Sequence, residues 1–453
     1  MKVMLIQPPS STSFMDKVYM YEPLGLEYLG AGLKEDGHEV LLLDARIEPD
    51  IEVVFRSFQP DIVGITGYTS HLTIIKNMAI RFKEINSEVY IIIGGHHATV
   101  RPKDYNVEGI DLVVVGEGVF TLREVIKHRQ LQQSLDDIPG LAIPGIEMKF
   151  TKDRPYTNLD DLPFPDRSLT AQYRELYFSD WMKPLASIRT SLGCFGRCNF
   201  CALWSITGGK YLQRQPERIV EELQNIQEDY VFFCDDESMC DTRRMDNLAD
   251  LIRESGIRKK YFLYGRVDTI VKNPDLFAKW KEIGLTQVFV GFESFSDTRL
   301  KELNKEITVE QQKQAVKILN DLKVDIYAAF VIDPSFTRQE FNQLIDYVTK
   351  LNVSYAALSI LTPLPGTKLF EQTEHQLIAK DPEFFDFMHT VLPTTLPLEE
   401  FYSEYARTIM KSTPTLRYLK YISKFNWKRR LPIMKDLLGV VKDVREGYKW
   451  HLS

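Results

Sequence analysis

Three cysteines fall within eight positions near the middle of the chain, at Cys194, Cys198 and Cys201. This Cys-x3-Cys-x2-Cys spacing lets one loop present three thiolates to one face of a cubane iron–sulfur cluster. One of the four irons then has no protein ligand and can be chelated by the amino and carboxylate groups of a small molecule. A structural zinc site is the alternative, but zinc normally takes four protein ligands, and no close cysteine or histidine supplies the fourth.

The overall composition is that of a packed globular protein, with 44% hydrophobic and 26% charged residues. A length of 453 residues suggests two or three domains, since domains typically have about 100 to 200 residues. Five cysteines do not make a disulfide framework, which favours metal binding in a reducing compartment. No apolar run reaches the roughly 18 to 20 residues of a membrane-spanning helix. We therefore expect a cytoplasmic protein.

Residues 1–135 alternate short apolar β-rich runs with amphipathic helical patterns. Such alternation predicts a Rossmann-like α/β domain in which helices flank a parallel sheet. A polar, proline-bearing stretch over residues 136–180 interrupts the pattern and is predicted to be a linker. The predicted strands of the first domain are Lys2–Gln7, Val40–Asp44, Asp61–Thr66, Val89–Gly94 and Asp111–Gly116, with helices at Leu24–Glu35 and Leu72–Ile85.

Residues 181–370 repeat a strand-then-helix pattern six times, and residues 371–453 are predicted to form a helical extension. Six units are too few for an eight-fold barrel, so the pattern predicts a partial (βα)6 barrel with its site at the C-terminal ends of the strands. The cysteine loop follows the first of these strands. The predicted strands lie near Ala186–Ser191, Tyr230–Cys234, Tyr261–Arg266, Gln287–Phe292, Asp325–Ile332 and Tyr355–Leu361.

Charged residues end three other barrel strands. Asp235, Asp236 and Glu237 follow the second strand, Arg266 ends the third, and Glu293 ends the fourth. A charge at the end of an otherwise apolar strand favours a position in the barrel mouth. Acids at such a strand end are also common as solvated or helix-capping residues, so both roles stay open for the acidic triplet.

The segment Cys194-Phe-Gly-Arg-Cys198-Asn-Phe-Cys201 after a barrel strand resembles the defining motif of the radical S-adenosylmethionine (SAM) superfamily. The resemblance implies a [4Fe-4S] cluster with SAM on the open iron, and it places Phe200 near the SAM adenine. It also places the acids after the second strand near the SAM amino group or ribose. Gly291-Phe-Glu293-Ser294 resembles the Gly-x-Glu-Ser segment of the superfamily. Cys234 and Cys240 are not expected to bind metal.

The first domain resembles the cobalamin-binding domain that is joined to radical SAM barrels in class B methyltransferases and related enzymes. Glycines at strand ends let the backbone approach a large ligand, and ligands of open α/β sheets bind beyond the carboxyl ends of the strands. A flavodoxin-like domain that binds no cofactor is the alternative. The resemblance implies cobalamin contacts at Pro8, Thr66, Gly67, Gly94, Gly95, His96, Gly116 and Glu117.

One departure from that family concerns the cobalt ligand. The Asp-x-His-x-x-Gly signature that supplies an imidazole is absent after the first strand, where Gln7-Pro-Pro-Ser10 stands. We therefore expect cobalt to have no histidine ligand. His96 and His97 lie where the nucleotide tail should pass, so hydrogen bonding or loop packing is expected of them.

Short barrel segments resemble the hopanoid C-3 methylases: Cys201–Trp204 with Thr207–Tyr211, Phe232–Ser238, and Tyr261–Arg266 with Asp268 and Thr269. This resemblance implies methylation of an unactivated carbon of an apolar polycyclic lipid, with SAM supplying both the methyl group, by way of cobalamin, and the radical. It also implies an electron donor such as flavodoxin or ferredoxin. A cyclase or oxidase acting on a tetrapyrrole or another lipid without methyl transfer is the first alternative. A non-enzymatic cobalamin sensor is the second, although a sensor does not need the intact cysteine triad.

The C-terminal tail is unusual in charge. From Leu416 to Ser453 it has ten basic and three acidic residues, a charge of +7 in a chain of net charge −7, which leaves −14 on the rest. This mix of basic and aromatic residues predicts peripheral contact with an anionic membrane face, and docking on the acidic body is the alternative. Nucleic-acid binding is not expected, because the body is acidic and no recognition motif occurs. The aromatic and apolar residues concerned are Tyr418, Tyr421, Ile422, Phe425, Trp427 and Trp450.

Overall fold

A computed structural model describes the fold of residues 1–12, 15–412 and 415–452. The chain divides into two compact units, residues 1–177 with 212–214 and residues 178–211 with 215–453. Each unit contains a sheet of mainly parallel strands with helices, and the end of the chain is helical. The predicted fold class is therefore confirmed.

The first unit is built on a seven-stranded sheet whose first five strands along the chain pair in parallel. The first strand lies between the second and the third. Connections therefore leave it toward both sides, which opens a crevice beyond the carboxyl ends of the first and third strands. From edge to edge the strands are Glu39–Asp44, Lys2–Gln7, Ile62–Thr66, Tyr90–Gly94, Leu112–Val114, Leu141–Ile143 and Lys149–Phe150.

Apolar side chains of these strands supply a core on each face of the sheet. In the first strand, Val3 and Leu5 pack into one core and Met4 and Ile6 into the other, because successive side chains point to opposite faces. Helices cover both faces, which explains why the strands are almost continuously apolar. The helices of this unit are Met15–Val18, Leu24–Glu35, Ile51–Phe58, Leu72–Ile85, His96–Val100 and Val119–Gln130, with 3-10 turns at Thr69–His71, Pro102–Tyr105, Leu159–Asp161 and Arg167–Leu176.

Most of the predicted linker, residues 136–177, belongs to the first compact unit. Leu141–Ile143 and Lys149–Phe150 extend the first sheet as antiparallel strands. Strands of three and two residues are too short to show an alternating pattern. The surrounding prolines and glycines, such as Pro139 and Gly140, also give the segment the composition of a loop.

The second unit contains six parallel strands that pair in chain order, as predicted for the partial barrel. In the fifth strand the odd-numbered residues are partly exposed and the even-numbered residues are buried. One face of this strand therefore packs on helices, and the other lines the barrel interior. The barrel strands are Leu185–Ile188, Tyr230–Phe233, Lys260–Gly265, Leu285–Glu293, Asp325–Ile332 and Tyr355–Ile360.

Helices follow each barrel strand and continue to the end of the chain. Among the described residues, no helix is long and apolar enough to cross a membrane. Pro414 and Ser453 lie outside the described residues, as do the side chains of Arg417 and Arg429. The helices of this unit are Leu203–Thr207, Pro216–Asn225, Thr242–Glu254, Val267–Lys272, Pro274–Ile283, Asp297–Glu302, Val309–Asp321, Arg338–Leu351, Lys368–Thr373, Leu398–Lys411, Thr415–Ser423 and Trp427–Arg445, with 3-10 turns at Glu374–Gln376, Pro382–Phe384 and Gly447–Leu452.

Candidate active site

The cysteine loop leaves the first barrel strand at the end of the barrel where the carboxyl termini of the strands meet. The backbone N–H of Gly196 donates a hydrogen bond to Cys194 Sγ over 3.3 Å. A Cβ atom at residue 196 would lie 2.4 Å from Nη1 of Arg266 and 3.5 Å from Cys194 Sγ. Glycine therefore lets the loop lie directly against a guanidinium group.

The electrostatic surroundings of Cys194 favour its thiolate. A hydrogen bond from Cys240 lowers the pKa of the Cys194 thiol, and the positive charges of Arg266 and Lys305 lower it further against the opposing effect of burial. A thiolate is the form of cysteine that binds iron. The loop thus offers one pre-formed anionic ligand beside two fixed cations.

Cys198 and Cys201 differ from Cys194 in protonation. Burial raises the pKa of the Cys198 thiol and raises that of Cys201 to about 11, so metal binding must displace these two protons. Three thiols on one short loop can each bind a separate iron of a cubane. The donor set therefore fits an iron–sulfur cluster.

Asp235 holds the chain that leads into the cysteine loop. Its Oδ1 accepts hydrogen bonds from the backbone N–H groups of Thr190 (2.6 Å) and Ser191 (2.8 Å), and its Oδ2 accepts one from the Thr190 hydroxyl (2.6 Å). The side chain is buried. These bonds occupy both carboxylate oxygens, which favours a positioning role over the predicted SAM contact.

The next two acids differ from each other. Asp236 is exposed and uses one oxygen, Oδ2, to accept a hydrogen bond from the Gly193 N–H over 2.7 Å. Glu237 is buried, and its Oε1 accepts a hydrogen bond from the Arg266 N–H over 3.3 Å. Burial, followed by the charge of Cys194, raises the pKa of Glu237 to about 8. Asp236 is thus the accessible carboxylate beside the loop, and Glu237 is a neutral carboxyl group at neutral pH.

Glu293 forms a buried ion pair that the sequence does not reveal. Its Oε1 accepts a hydrogen bond from Nζ of Lys305 over 2.7 Å. The backbone of Glu293 has φ of 62°, at an irregularity in the fourth strand, a conformation that costs a non-glycine residue about 1 kcal/mol or more. A Cβ atom at Gly291 would lie 2.4 Å from Glu293 Oε1. Gly291 therefore makes room for the carboxylate.

A hydrogen-bond chain behind Glu293 holds this irregular strand end. The buried Gln312 donates from Nε2 to the carbonyl oxygens of Phe292 (2.9 Å) and Ser294 (3.0 Å), and its Oε1 accepts from the Tyr347 hydroxyl (2.7 Å). Sequence reasoning missed both Gln312 and Lys305. Gln312 lies on the helix Val309–Asp321, and Lys305 lies in the loop before this helix. Only the fold brings these two residues to the strand end.

The remaining barrel candidates take different places. Phe200 is partly buried within the cysteine loop, and Arg266 donates from Nε to Asp268 Oδ1 over 2.9 Å. The thiol of Cys234 donates to the Ile188 carbonyl over 3.3 Å, in agreement with its expected packing role. Cys240, which was also expected to have no metal role, is in contact with the thiol of Cys194.

In the first unit, the candidate residues meet at the carboxyl edge of the parallel sheet. Gly95 has φ of 96°, and a Cβ atom there would lie 2.4 Å from Thr66 Oγ1 and 2.9 Å from the Gly67 nitrogen. Glycine is thus required where the third and fourth strands end side by side. Pro8, after the first strand, is buried, whereas Gly94 is partly exposed.

The fifth strand adds Gly116 and Glu117 to this edge. Gly116 has φ of 85° and donates its N–H to Thr99 Oγ1 over 3.1 Å. Both carboxylate oxygens of Glu117 accept hydrogen bonds from the first N–H groups of the helix that begins at Val119. Glu117 therefore serves as a helix cap, which favours a structural role over the predicted cofactor contact.

The histidines near this edge are not equivalent. His97 is buried, with Nδ1 3.0 Å from Thr69 Oγ1 and Nε2 3.1 Å from Asp104 Oδ2, so neither nitrogen is available for a metal. His96 Nδ1 is buried without a hydrogen-bond partner among the described residues. Burial lowers the pKa of His96 to about 4, which keeps its imidazole neutral. A free buried acceptor at an open, glycine-lined edge fits a large polar ligand.

The two sites define an enzyme that combines an open-iron cluster with a second, large cofactor. The B12 binding domain family matches residues 18–126, and the Radical SAM superfamily matches residues 188–348. The chain is 30% identical to the hopanoid C-3 methylase of Methylococcus capsulatus over 90% of this chain and 79% of that protein. It is also 30% identical to an uncharacterised methyltransferase of Pyrococcus horikoshii over 93% of each.

The fold is similar to that of the cobalamin-dependent SAM radical enzyme OxsB, solved with aqua-cobalamin and SAM bound. The TM-score is 0.74 at 17% identity, over 98% of this chain and 71% of that chain. Together with the family matches, these relationships show that the chain belongs to the cobalamin-dependent radical SAM methyltransferases. Its cofactors are a [4Fe-4S] cluster, SAM and cobalamin, so the cofactor-free domain and the non-enzymatic sensor are set aside.

Proposed function

We propose that the chain methylates an unactivated carbon of an apolar polycyclic lipid, of the hopanoid type modified at C-3. The observation that carries this proposal is an aromatic floor inside the barrel. Four side chains in one row of the sheet, one from each of the last four strands, form it, with ring centroids 4.9, 5.2 and 4.7 Å apart. In order they are Tyr264, Phe289, Tyr327 and Tyr355.

Small residues lie above this floor. Gly291, Ala329 and Ala357 occupy neighbouring register positions, two residues closer to the barrel mouth than the floor residues of the same strands. Floor and small residues are all partly exposed. Small side chains above a row of aromatic rings leave room for a bulky apolar substrate, which supports a fused-ring lipid over a polar substrate.

The distance from the barrel mouth to the aromatic row is compatible with a substrate that lies between them. Arg266 and Glu293 lie at the ends of the strands that contribute Tyr264 and Phe289, so the floor lies roughly 7 Å to 14 Å below them at about 3.3 Å per residue. When bound, SAM and cobalamin supply a hydrogen-abstracting radical and a methyl group. The apolar interior holds the substrate carbon in place and excludes groups that would quench a radical.

We further propose roles for individual residues toward these cofactors. Cys194, Cys198 and Cys201 bind the cluster. Asp236, Arg266, Glu293 and Phe200 contact SAM, while Asp235 and Glu237 position the loop and the neighbouring strand end. The cobalamin site is formed by the strand-end loops at Pro8, Thr66, Gly67, Gly94, Gly95, His96 and Gly116, while Glu117 caps the helix that follows the last of these loops.

The proposal extends to the setting of the reaction. The chain works in the cytoplasm and takes electrons from a donor such as flavodoxin or ferredoxin, because reductive SAM cleavage consumes one electron per event. Its C-terminal tail contacts the inner membrane face, where apolar substrates reside. The basic excess of the tail supports this contact.

Narrowing the barrel interior tests the substrate class. In Ala329→Phe and Ala357→Phe, a ring fills the space above the floor, so a hopanoid lipid should no longer be methylated. SAM should still be cleaved to 5′-deoxyadenosine in the reconstituted protein, because the cluster loop is untouched. Val331→Ala, in the next layer toward the mouth, is the matched control and should retain methylation. Full lipid methylation in both phenylalanine variants would exclude the barrel interior as the lipid site.

A second candidate function is cyclisation or oxidation of a tetrapyrrole without methyl transfer, since a row of aromatic side chains is compatible with a tetrapyrrole as well as with a lipid. Product mass distinguishes the two. With SAM carrying a deuterated methyl group, a methylated product retains the label and a cyclised or oxidised product has none.

A further inference from the structure

We propose that the helix Trp427–Arg445 is the membrane-binding surface of this chain, and that its occupant is an anionic lipid bilayer. This inference rests on the proposed membrane contact of the tail, and it assigns that contact to one face of one helix. The helix presents a row of exposed apolar side chains bordered by lysines.

The preceding helix, Thr415–Ser423, and the residues after it pack one face against the barrel, while Leu419 and Lys420 are exposed. The Tyr421 hydroxyl donates to Asp180 Oδ1 over 2.8 Å, and the Tyr421 ring packs 5.3 Å from that of Tyr355, at the start of the sixth barrel strand. Ile422 and Phe425 are buried. The predicted interfacial role is therefore wrong for Tyr421, Ile422 and Phe425, because these side chains pack at the base of the barrel.

One basic residue of this segment, Lys424, is also engaged with the body. Lys424 forms an ion pair with Asp325, at the start of the fifth barrel strand, and its ammonium group lies 5.1 Å from the centre of the Trp181 ring. Docking on the body, the alternative drawn from the sequence, thus holds for this first part of the tail.

The helix Trp427–Arg445 is different. Trp427, Leu431 and Leu438 are 72%, 71% and 66% exposed. At about 100° per residue they fall within roughly 40° of one another around the helix axis. Val440 and Val444 are buried on the opposite side. One face therefore packs against the body, and an apolar face is left in solvent.

The lysines and aspartates of this helix also lie on different sides of it. Lys428, Lys435 and Lys442 are exposed and lie within about 100° of Trp427, next to the apolar row. Asp436 and Asp443 lie about 160° to 180° from Trp427. An apolar row with lysines beside it and acids away from it matches the apolar and anionic layers of a bilayer surface. The chain before Leu416 carries a charge of −14 and would be repelled by the same surface.

The test uses the full-length chain and vesicles of phosphatidylcholine with or without phosphatidylglycerol. The wild-type chain should sediment with the anionic vesicles only, and less so at high salt. Leu431→Gln/Leu438→Gln should weaken this binding by roughly tenfold or more. Val53→Gln/Ile80→Gln, which changes two exposed apolar residues of the first unit, is the matched control and should bind like the wild type.

A charge pair completes the design. Lys435→Glu/Lys442→Glu should weaken binding to anionic vesicles by roughly tenfold, whereas Lys301→Glu/Lys317→Glu, on exposed barrel helices, should not. All four variants should keep wild-type formation of 5′-deoxyadenosine, which separates this test from that of the methylation proposal.

Three results would overturn the assignment. If both leucine and lysine variants sediment like the wild type, while a chain ending at Lys411 does not, the tail binds membranes by another surface. If the truncated chain also sediments, the tail is not the anchor. If Leu431→Gln/Leu438→Gln instead converts a dimer to a monomer in the absence of lipid, the occupant of the face is a second copy of the chain.

Discussion

The barrel mouth and the edge of the first sheet are the two proposed cofactor sites, and they are built from different kinds of chemical group. At the barrel mouth, the site is formed by side chains. They are three thiols, the cations Arg266 and Lys305, and carboxylates that are held by specific partners. At the sheet edge, glycines with positive φ and strand-end backbone dominate. A cluster needs ionic ligands at fixed points, whereas a large organic cofactor needs room and backbone hydrogen bonds. We therefore expect cofactor binding at the barrel mouth to be lost when side chains are removed, and cofactor binding at the sheet edge to be lost when a side chain is added.

The largest expected effect is at the barrel mouth. Replacing Cys194, Cys198 and Cys201 together by alanine removes every cysteine ligand of the loop. Iron–sulfur absorbance and 5′-deoxyadenosine formation should then disappear, while cobalamin binding by the first unit persists. Cys234→Ala is the control and should keep both signals. Full cluster absorbance in the triple variant would refute the assignment.

At the sheet edge, a single added side chain should suffice. In Gly95→Val, new atoms would meet Thr66 Oγ1 and the Gly67 nitrogen, in a backbone conformation that valine rarely adopts. Bound cobalamin per chain after gel filtration should fall by at least roughly tenfold, about 1.4 kcal/mol, with the cluster retained. Gly25→Ala, where a Cβ atom meets nothing within 4 Å, should bind cobalamin normally. Equal binding by the two variants would contradict a backbone-built site.

A smaller effect concerns the pH dependence of stability in the first unit. Burial, followed by the positive charge of Arg46, lowers the pKa of His71 to about 4, and Nδ1 of His71 accepts a hydrogen bond from the Tyr68 N–H over 3.1 Å. Between pH 6.5 and about 4 the unfolded chain binds a proton that the folded chain does not, so stability should fall as the pH falls, by on the order of 2 kcal/mol. Urea midpoints for His71→Gln should show a shallower slope than those for the exposed control His375→Gln.

The smallest expected effect is at the cobalt. If no histidine is a ligand, His96→Ala and His97→Ala should leave the electron paramagnetic resonance spectrum of bound cob(II)alamin without any lost nitrogen splitting. A nitrogen-split signal that vanishes in either variant would show that the sheet edge also supplies a side-chain ligand to the metal, and the contrast between the two sites would weaken.

Much of the fold follows from periodicity. Asp325–Ile332, Leu24–Glu35 and Leu72–Ile85 have the same bounds in the structure as in the prediction, because long alternating or amphipathic runs leave little choice of face. Leu141–Ile143 was missed because three residues carry no period.

The site was predictable where one segment carries the chemistry, as in the cysteine loop. It was not predictable where partners come from distant segments. Lys305 lies 12 positions after Glu293 and meets it beside the register shift between Gly291 and Glu293. Asp235 was expected to contact SAM, yet its oxygens bind the backbone of Thr190 and Ser191, 45 and 44 positions away. Such pairings depend on the register of neighbouring strands, which local patterns do not encode.

The central claim is that this chain transfers a methyl group to an apolar polycyclic lipid. The most direct test reconstitutes the full chain anaerobically with iron, sulfide, cobalamin and a low-potential reductant, and supplies a hopanoid lipid together with SAM carrying a deuterated methyl group. We predict a lipid product that carries the labelled methyl group on the ring system, with 5′-deoxyadenosine formed alongside it. Formation of 5′-deoxyadenosine with an unlabelled, cyclised or oxidised product would contradict the account.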